Sequence, residues 1–183
     1  MFVAIAVEGP TDHAAIEKIL STRSLCVDPE RVYQCGGKAR LDEKLTSYNA
    51  AAHRSPWLVL RDADSDGQNH AVRVRAAILP MEIEAPALCF RLAVRALEAW
   101  LLADCEAFAA FFSVSVAAVP RDPEGLIDPK TALVGLCRKS RKSGIRRAMV
   151  PPPGGIRKVG TEYTTRISEY CRGPWRPDVA AES

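Results

Sequence analysis

The first half of the chain alternates between apolar runs of strand length and segments whose apolar residues fall on one helical face. Phe2 to Val7 is the first such run. It stops at Glu8-Gly9-Pro10-Thr11-Asp12, where Gly9 and Pro10 predict a turn and Thr11 a helix cap. Ile16, Ile19 and Leu20 then supply the apolar stripe of a helix reaching about Thr22. A second short strand is expected near Arg31 to Gln34. Cys35-Gly36-Gly37-Lys38 turns the chain into a helix with Leu41, Leu45 and Tyr48 on one side. Trp57 to Leu60, entered from Pro56, suits a strand covered on both faces of a parallel sheet. A helix from about Asn69 to Leu79 and a fourth strand from Ala87 to Val94 complete the series. The order β-α-β-α-β-α-β predicts an open, mostly parallel, four-stranded α/β sheet of Rossmann-like type, flanked by helices, with right-handed crossovers.

From Leu97 onward the pattern is helical. The stretch around Glu98 reads as helix, Ala107 to Phe112 as an apolar helix end, and Val119 to Pro129 as a loop bearing Pro and Asp. Pro129 opens a further helix running to Cys137, with Pro at a position that tolerates it. Pro151-Pro152-Pro153-Gly154-Gly155 is a rigid-then-flexible connector, and Thr161 to Cys171 a last helix carrying Tyr163, Ile167 and Tyr170 on one side. The expected organisation is an α/β core over residues 1–105 and a helical appendage over residues 106–183 packed on it, ending in a tail prone to disorder. With 183 residues there is enough chain for one well-buried core and an appendage, but not for two large domains.

Composition is that of an ordinary globular protein, and no apolar run reaches the length needed to span a bilayer. The N-terminus reads as a strand that meets an acid at Glu8, not as a signal peptide. Six scattered cysteines show no Cys-x-x-Cys, which argues against zinc and predicts reduced thiols in a cytoplasmic protein. The net charge of +3 says little about partners, but its distribution says more. Arg138, Lys139, Arg141, Lys142, Arg146 and Arg147 place six positive charges within ten residues, and without them the chain is net acidic. Such a cluster suits a phosphate backbone, or else a solvated basic turn.

The chemistry-bearing residues are acids. Asp62, Asp64 and Asp66 follow the Trp57 run, with Gly67 available for a turn. On extended backbone Asp62 and Asp64 share a face, and a hard divalent cation would relieve their repulsion. Three readings compete. An EF-hand calcium loop lacks its closing glutamate, since the twelfth position is Arg73. A polar turn whose aspartates cap the next helix is the second, and a metal-dependent phosphoryl-transfer site the third. The third needs another acid. In sheets of this type ligands sit beyond the carboxyl ends of strands, and a flavodoxin-like order would set strands one and three side by side. Glu8, ending strand one, would then meet Asp62 and Asp64. Glu98 lies on an otherwise apolar helical stripe with Leu101, Leu102 and Cys105. It reads either as half of a buried ion pair with Arg91 or Arg95, or as an additional metal ligand or support for one. Trp100 reads as core. Arg61, beside Asp62, would weaken metal binding if it folded onto the site.

Val7-Glu8-Gly9, followed by a helix and later by Leu60-Arg61-Asp62-Ala63-Asp64, resembles the Toprim domain of topoisomerases, primases and overcoming-lysogenization-defect (OLD) family nucleases. Gly36-Gly37-Lys38 and Leu97-Glu98-Ala99-Trp100-Leu101-Leu102-Ala103-Asp104 resemble more narrowly the small Toprim-like proteins grouped as domain of unknown function 4276. The resemblance covers roughly the first 105 residues. It implies a glutamate that assists proton transfer or metal binding and an Asp-x-Asp that holds Mg²⁺ or Mn²⁺: by position Glu8, Asp62 and Asp64. Asp66 has no firm equivalent. The expected activity is metal-dependent phosphodiester hydrolysis, with Lys38 and the Arg138 to Arg147 cluster contacting nucleic acid. Relatives of this kind are often encoded beside an ABC-type, OLD-like ATPase in defence or mobile-element systems, which implies a separate ATPase partner. This chain has no Walker A pattern of its own. The rival expectation is a non-catalytic subunit that binds a nucleotide or phosphate and regulates such an ATPase.

Overall fold

Apolar runs become strands as expected. Phe2–Val7 forms β1, and Pro10–Thr22 forms α1. Gly9, not the expected Thr11, is the cap residue of this helix. Pro10 takes the first helical position, and the Asp12 carboxylate reaches back to accept the Gly9 N–H at 2.8 Å. Cys26–Gln34 forms β2, longer than the Arg31 to Gln34 expectation. Its pairing with β1 shifts register between Val3 and Ile5, where Asp28-Pro29-Glu30 intervenes. The interruption is tolerated because β2 is an edge strand. Two short helices follow where one was expected: α2 over Lys38–Asp42 and α3 over Leu45–Ala52. β3 is Trp57–Asp62 and β4 is Leu88–Ala93.

This computed structural model describes residues 1–63, 84–154 and 156–181. The helix expected from about Asn69 to Leu79 lies outside them. Two units divide the chain, Met1–Val94 and Arg95–Ser183.

In the first unit all four strands are parallel, in the order β2-β1-β3-β4, an α/β Rossmann-like sheet with flanking helices. β1 and β3 are central neighbours, with Val7 level with Leu60. Alternation gives β1 two buried faces. Ala4 and Ala6 pack with Leu41, Leu45, Tyr48, Trp57, Val59 and Phe90, while Val3, Ile5 and Val7 point the other way and are equally buried. The small alanines leave room for a stack of rings, with Tyr48 and Trp57 centred 5.1 Å apart and Tyr33 5.5 Å from Trp57. The Asn49 side chain accepts the Ala85 N–H at 2.8 Å and so fixes the approach to β4.

The second unit is helical: α4 Leu97–Ala103, α5 Cys105–Phe112, α6 Pro129–Arg138, α7 Ser143–Met149, α8 Tyr163–Arg172 and α9 Pro177–Ala180. Leu101, Leu102, Phe108, Phe112, Leu133, Ile167, Tyr170 and Trp175 are buried, whereas Trp100, expected in the core, is half-buried. Among the described residues no helix is long and apolar enough to cross a membrane. Gly160 is required by close approach, since a Cβ there would meet the Ala148 carbonyl of α7.

Asp104 joins three parts of this unit. Its carboxylate caps α5 through the Ala107 N–H at 3.3 Å, and it takes both the Arg176 main-chain N–H and the Arg176 guanidinium Nε at 3.0 Å. Nη2 of Arg176 adds a bond of 2.6 Å. Burial alone would raise the Asp104 pKa, but the bonds from Arg176 and Ala107 outweigh it and hold the carboxyl below its usual range. The stabilisation is therefore complete above the ordinary aspartate pKa and is lost as pH falls through the lower folded value. Asp104→Ala is expected to lower unfolding stability by about 2 kcal/mol through the lost cap and the unsatisfied donors. The difference from wild type in urea melts should shrink as the pH is brought down toward the folded-state pKa of Asp104.

Candidate functional site

β1 and β3 run parallel side by side, so their carboxyl ends open on the same edge of the sheet. Glu8 is the first residue past β1 and Asp62 the last of β3, and the structure brings them together. The Asp62 N–H donates to Glu8 Oε1 at 2.9 Å across 54 positions of sequence. Both residues are half-buried. The backbone of Glu8 is held from another side. Its carbonyl accepts the N–H groups of Gly36 at 2.9 Å and Gly37 at 3.1 Å. Those glycines have φ of +75° and +124°, a region that L side chains rarely adopt, which explains the Gly36-Gly37 pair. With these amides committed to Glu8, the turn serves as a brace for the acid. Lys38 follows it, half-buried, at the start of α2.

Asp64 and Asp66 lie outside the described residues. Among the described residues no group of three or more His, Cys, Asp or Glu side chains comes together as a metal cage. At the carboxyl ends of β1 and β3 the described residues include the carboxylates of Glu8 and Asp62. This oxygen-only donor set matches hard dications such as Mg²⁺ and Mn²⁺ and does not match zinc. Residues able to hold such an ion are these two and, by sequence, Asp64.

Arg61 does not stand as an uncompensated charge beside Asp62. It is 2% exposed. Its Nε and Nη2 donate to the two carboxylate oxygens of Asp42 in α2, at 2.8 and 3.0 Å, and Nη1 donates to the Asp62 carbonyl at 2.9 Å. Two-point pairing of guanidinium with carboxylate is the strong form of this contact. Sequence reasoning missed Asp42, because an acid at the end of a five-residue helix is indistinguishable from a solvated one until β3 is placed beside it. Near the same edge, Gln34 Nε2 lies 3.1 Å from His13 Nδ1, and His13 Nε2 lies 3.3 Å from Glu17.

In the second unit Glu98 is 3% exposed. The Tyr163 hydroxyl donates to its Oε1 at 2.7 Å, and Lys130 Nζ stands 3.3 Å from the same oxygen. Its partners are thus Tyr163 and Lys130, and the expectation of Arg91 or Arg95 is corrected. Helix α4 turns the acid toward α6 and α8, which the short spacing to those arginines could not reveal. Glu98 Oε2 is buried without a hydrogen-bond partner among the described residues. Burial first, and then the Glu98 charge, hold the Tyr163 hydroxyl protonated well above the usual tyrosine range.

All six residues of the basic segment are exposed. Its backbone is nonetheless anchored. Ser140, buried, donates its hydroxyl to the Phe112 carbonyl at 2.6 Å, and the Arg141 N–H donates to the Ser113 carbonyl at 2.9 Å. These bonds cap the C-terminus of α5, where positive charge is favoured. Arg146 also donates to the Ser140 carbonyl.

Comparison of the chain with protein-family models, with curated proteins and with solved structures finds no match. What the protein can do is therefore read from its own residues.

Tyr163→Phe removes the hydroxyl that serves Glu98 Oε1 while keeping the ring. Leaving a buried carboxylate short of one donor should destabilise the protein by about 1–3 kcal/mol. The check is the urea midpoint at neutral pH, and an unchanged midpoint would contradict the pairing.

Proposed function

We propose that the chain is a Toprim-like enzyme that hydrolyses phosphodiester bonds of nucleic acid with Mg²⁺ or Mn²⁺. The observation that carries the reading is the bond from the Asp62 main chain to the Glu8 carboxylate at the carboxyl edge of adjacent parallel strands. Two acids far apart in sequence meet where this sheet architecture places ligands. A bound dication there would polarise the phosphate and lower the pKa of an attacking water. Asp62, with Asp64, would supply the charge to hold such an ion. Glu8, fixed at its carbonyl by Gly36 and Gly37, assists proton transfer. The exposed basic segment and Lys38 supply contacts to the phosphate backbone, which position a substrate but carry no sequence information. An OLD-like ATPase acting as a separate subunit, in a defence or mobile-element setting in the cytoplasm, is the partner this reading proposes.

Two experiments test the proposal. Asp62→Asn is nearly isosteric but uncharged, and a neutral amide is a poor ligand for a hard dication. It should abolish Mn²⁺-dependent cleavage across DNA and RNA substrates while shifting stability by no more than about 0.5 kcal/mol. Retained cleavage would refute the site, and tight Mn²⁺ binding by a wild-type protein that cleaves nothing would favour the regulatory subunit. In the second, Arg138, Lys139, Arg141 and Lys142 are replaced by Gln. Nucleic-acid affinity should fall for all sequences, and the slope of log affinity against log salt should flatten by about 3. An unchanged slope would return the segment to a solvated turn.

A further inference from the structure

The charge least expected beside a cation site is a buried arginine. Arg61 occupies the position immediately before Asp62, is 2% exposed, and reaches the Asp62 carbonyl through Nη1. By position alone it would oppose a dication at Glu8 and Asp62, since like charges repel strongly where water is scarce. Yet the guanidinium is turned onto Asp42, which takes Nε and Nη2 on its two oxygens. Asp42 closes α2, and α2 begins directly after the Gly36-Gly37 turn that holds the Glu8 carbonyl. One short segment, residues 36 to 42, thus fixes the backbone of one acid and neutralises the cation beside the other.

Resting on the metal-site reading above, we propose that Asp42 is a positioning residue that balances the Arg61 charge and so sets the divalent-cation affinity of the Glu8–Asp62 edge. Arg61 donates to the Asp62 carbonyl, and Asp42 keeps that guanidinium from presenting net positive charge to the carboxylates.

Mn²⁺ binding by the whole chain provides the test, read by electron paramagnetic resonance of free Mn²⁺, with circular dichroism in EDTA as the folding control. Asp42→Asn keeps the shape and removes the balancing charge, so the dissociation constant should rise about tenfold or more, the range seen for supporting residues around metal ligands. Arg61→Met should bind Mn²⁺ at least as tightly as wild type, because it leaves the Asp42 carboxylate unbalanced near the site. In the double variant Asp42→Asn with Arg61→Met, both charges are gone and affinity should return to within about threefold of wild type. Recovery on deleting a second side chain is not what a scaffold role produces.

Equal Mn²⁺ affinity in wild type and Asp42→Asn would overturn the inference and leave the metal site standing. Equal weakness in Asp42→Asn and the double variant would make Asp42 a structural support and also overturn it. A wild-type protein that does not bind Mn²⁺ would remove the metal-site reading itself, and this inference with it. Should Asp42→Asn fail to fold, the double variant is compared with Arg61→Met, since the two differ only in the Asp42 charge and neither leaves the buried guanidinium without its partner. Weaker Mn²⁺ binding in the double variant than in Arg61→Met supports the proposal, and equal binding in the two overturns it.

Discussion

The parallel pairing of β1 with β3 is the constraint on which the first unit depends. Parallel neighbours cannot be joined by a tight turn, so the chain between them must travel out through α1, β2, α2 and α3 before returning. That detour has a chemical result. Because both strands run the same way, whatever follows each of them emerges on one edge, and residues 54 positions apart become hydrogen-bonding neighbours. The helices on the detour cover the sheet, and they also deliver Asp42 to β3 and the Gly36-Gly37 turn to Glu8. Fold and site are therefore consequences of one topological choice.

Much of this was legible in the sequence. The Phe2 to Val7 and Trp57 runs were recognisable because both faces of a central parallel strand are buried, leaving no polar alternation to confuse them. The neighbouring of Glu8 and Asp62 followed from strand order alone. Boundaries were less legible where an edge relaxed the rules. The Asp28-Pro29 interruption in β2 reads as a break in sequence, yet an edge strand continues through it. Start and stop signals also competed at α1, where Pro10 and Asp12 together outweighed Thr11 as the cap.

Partners of buried charges were the least legible feature, for a common reason. Glu98, Asp104 and Arg61 each require compensation, which their burial makes compulsory. The sequence shows the requirement but not the direction in which a side chain leaves its helix or strand. For Glu98 the sequence offers arginines close by or a metal, whereas its compensation comes from Lys130 and Tyr163 at separations of 32 and 65 positions. Long-range pairing of this kind depends on how helices pack, and local periodicity carries no record of it.

The Asp104–Arg176 contact bears on how the protein can be handled. Arg176 belongs to the last eight residues of the sequence, a stretch that truncation for expression would ordinarily treat as dispensable. Its main-chain N–H and its guanidinium both end on a carboxylate whose side chain is fully shielded from solvent. Trimming the chain to Arg172, the end of α8, would remove that cation together with the buried Trp175 and leave a dry negative charge at the junction of α4 and α5. Shortened versions of the protein should therefore keep everything through α9 and carry any affinity handle beyond Ala180.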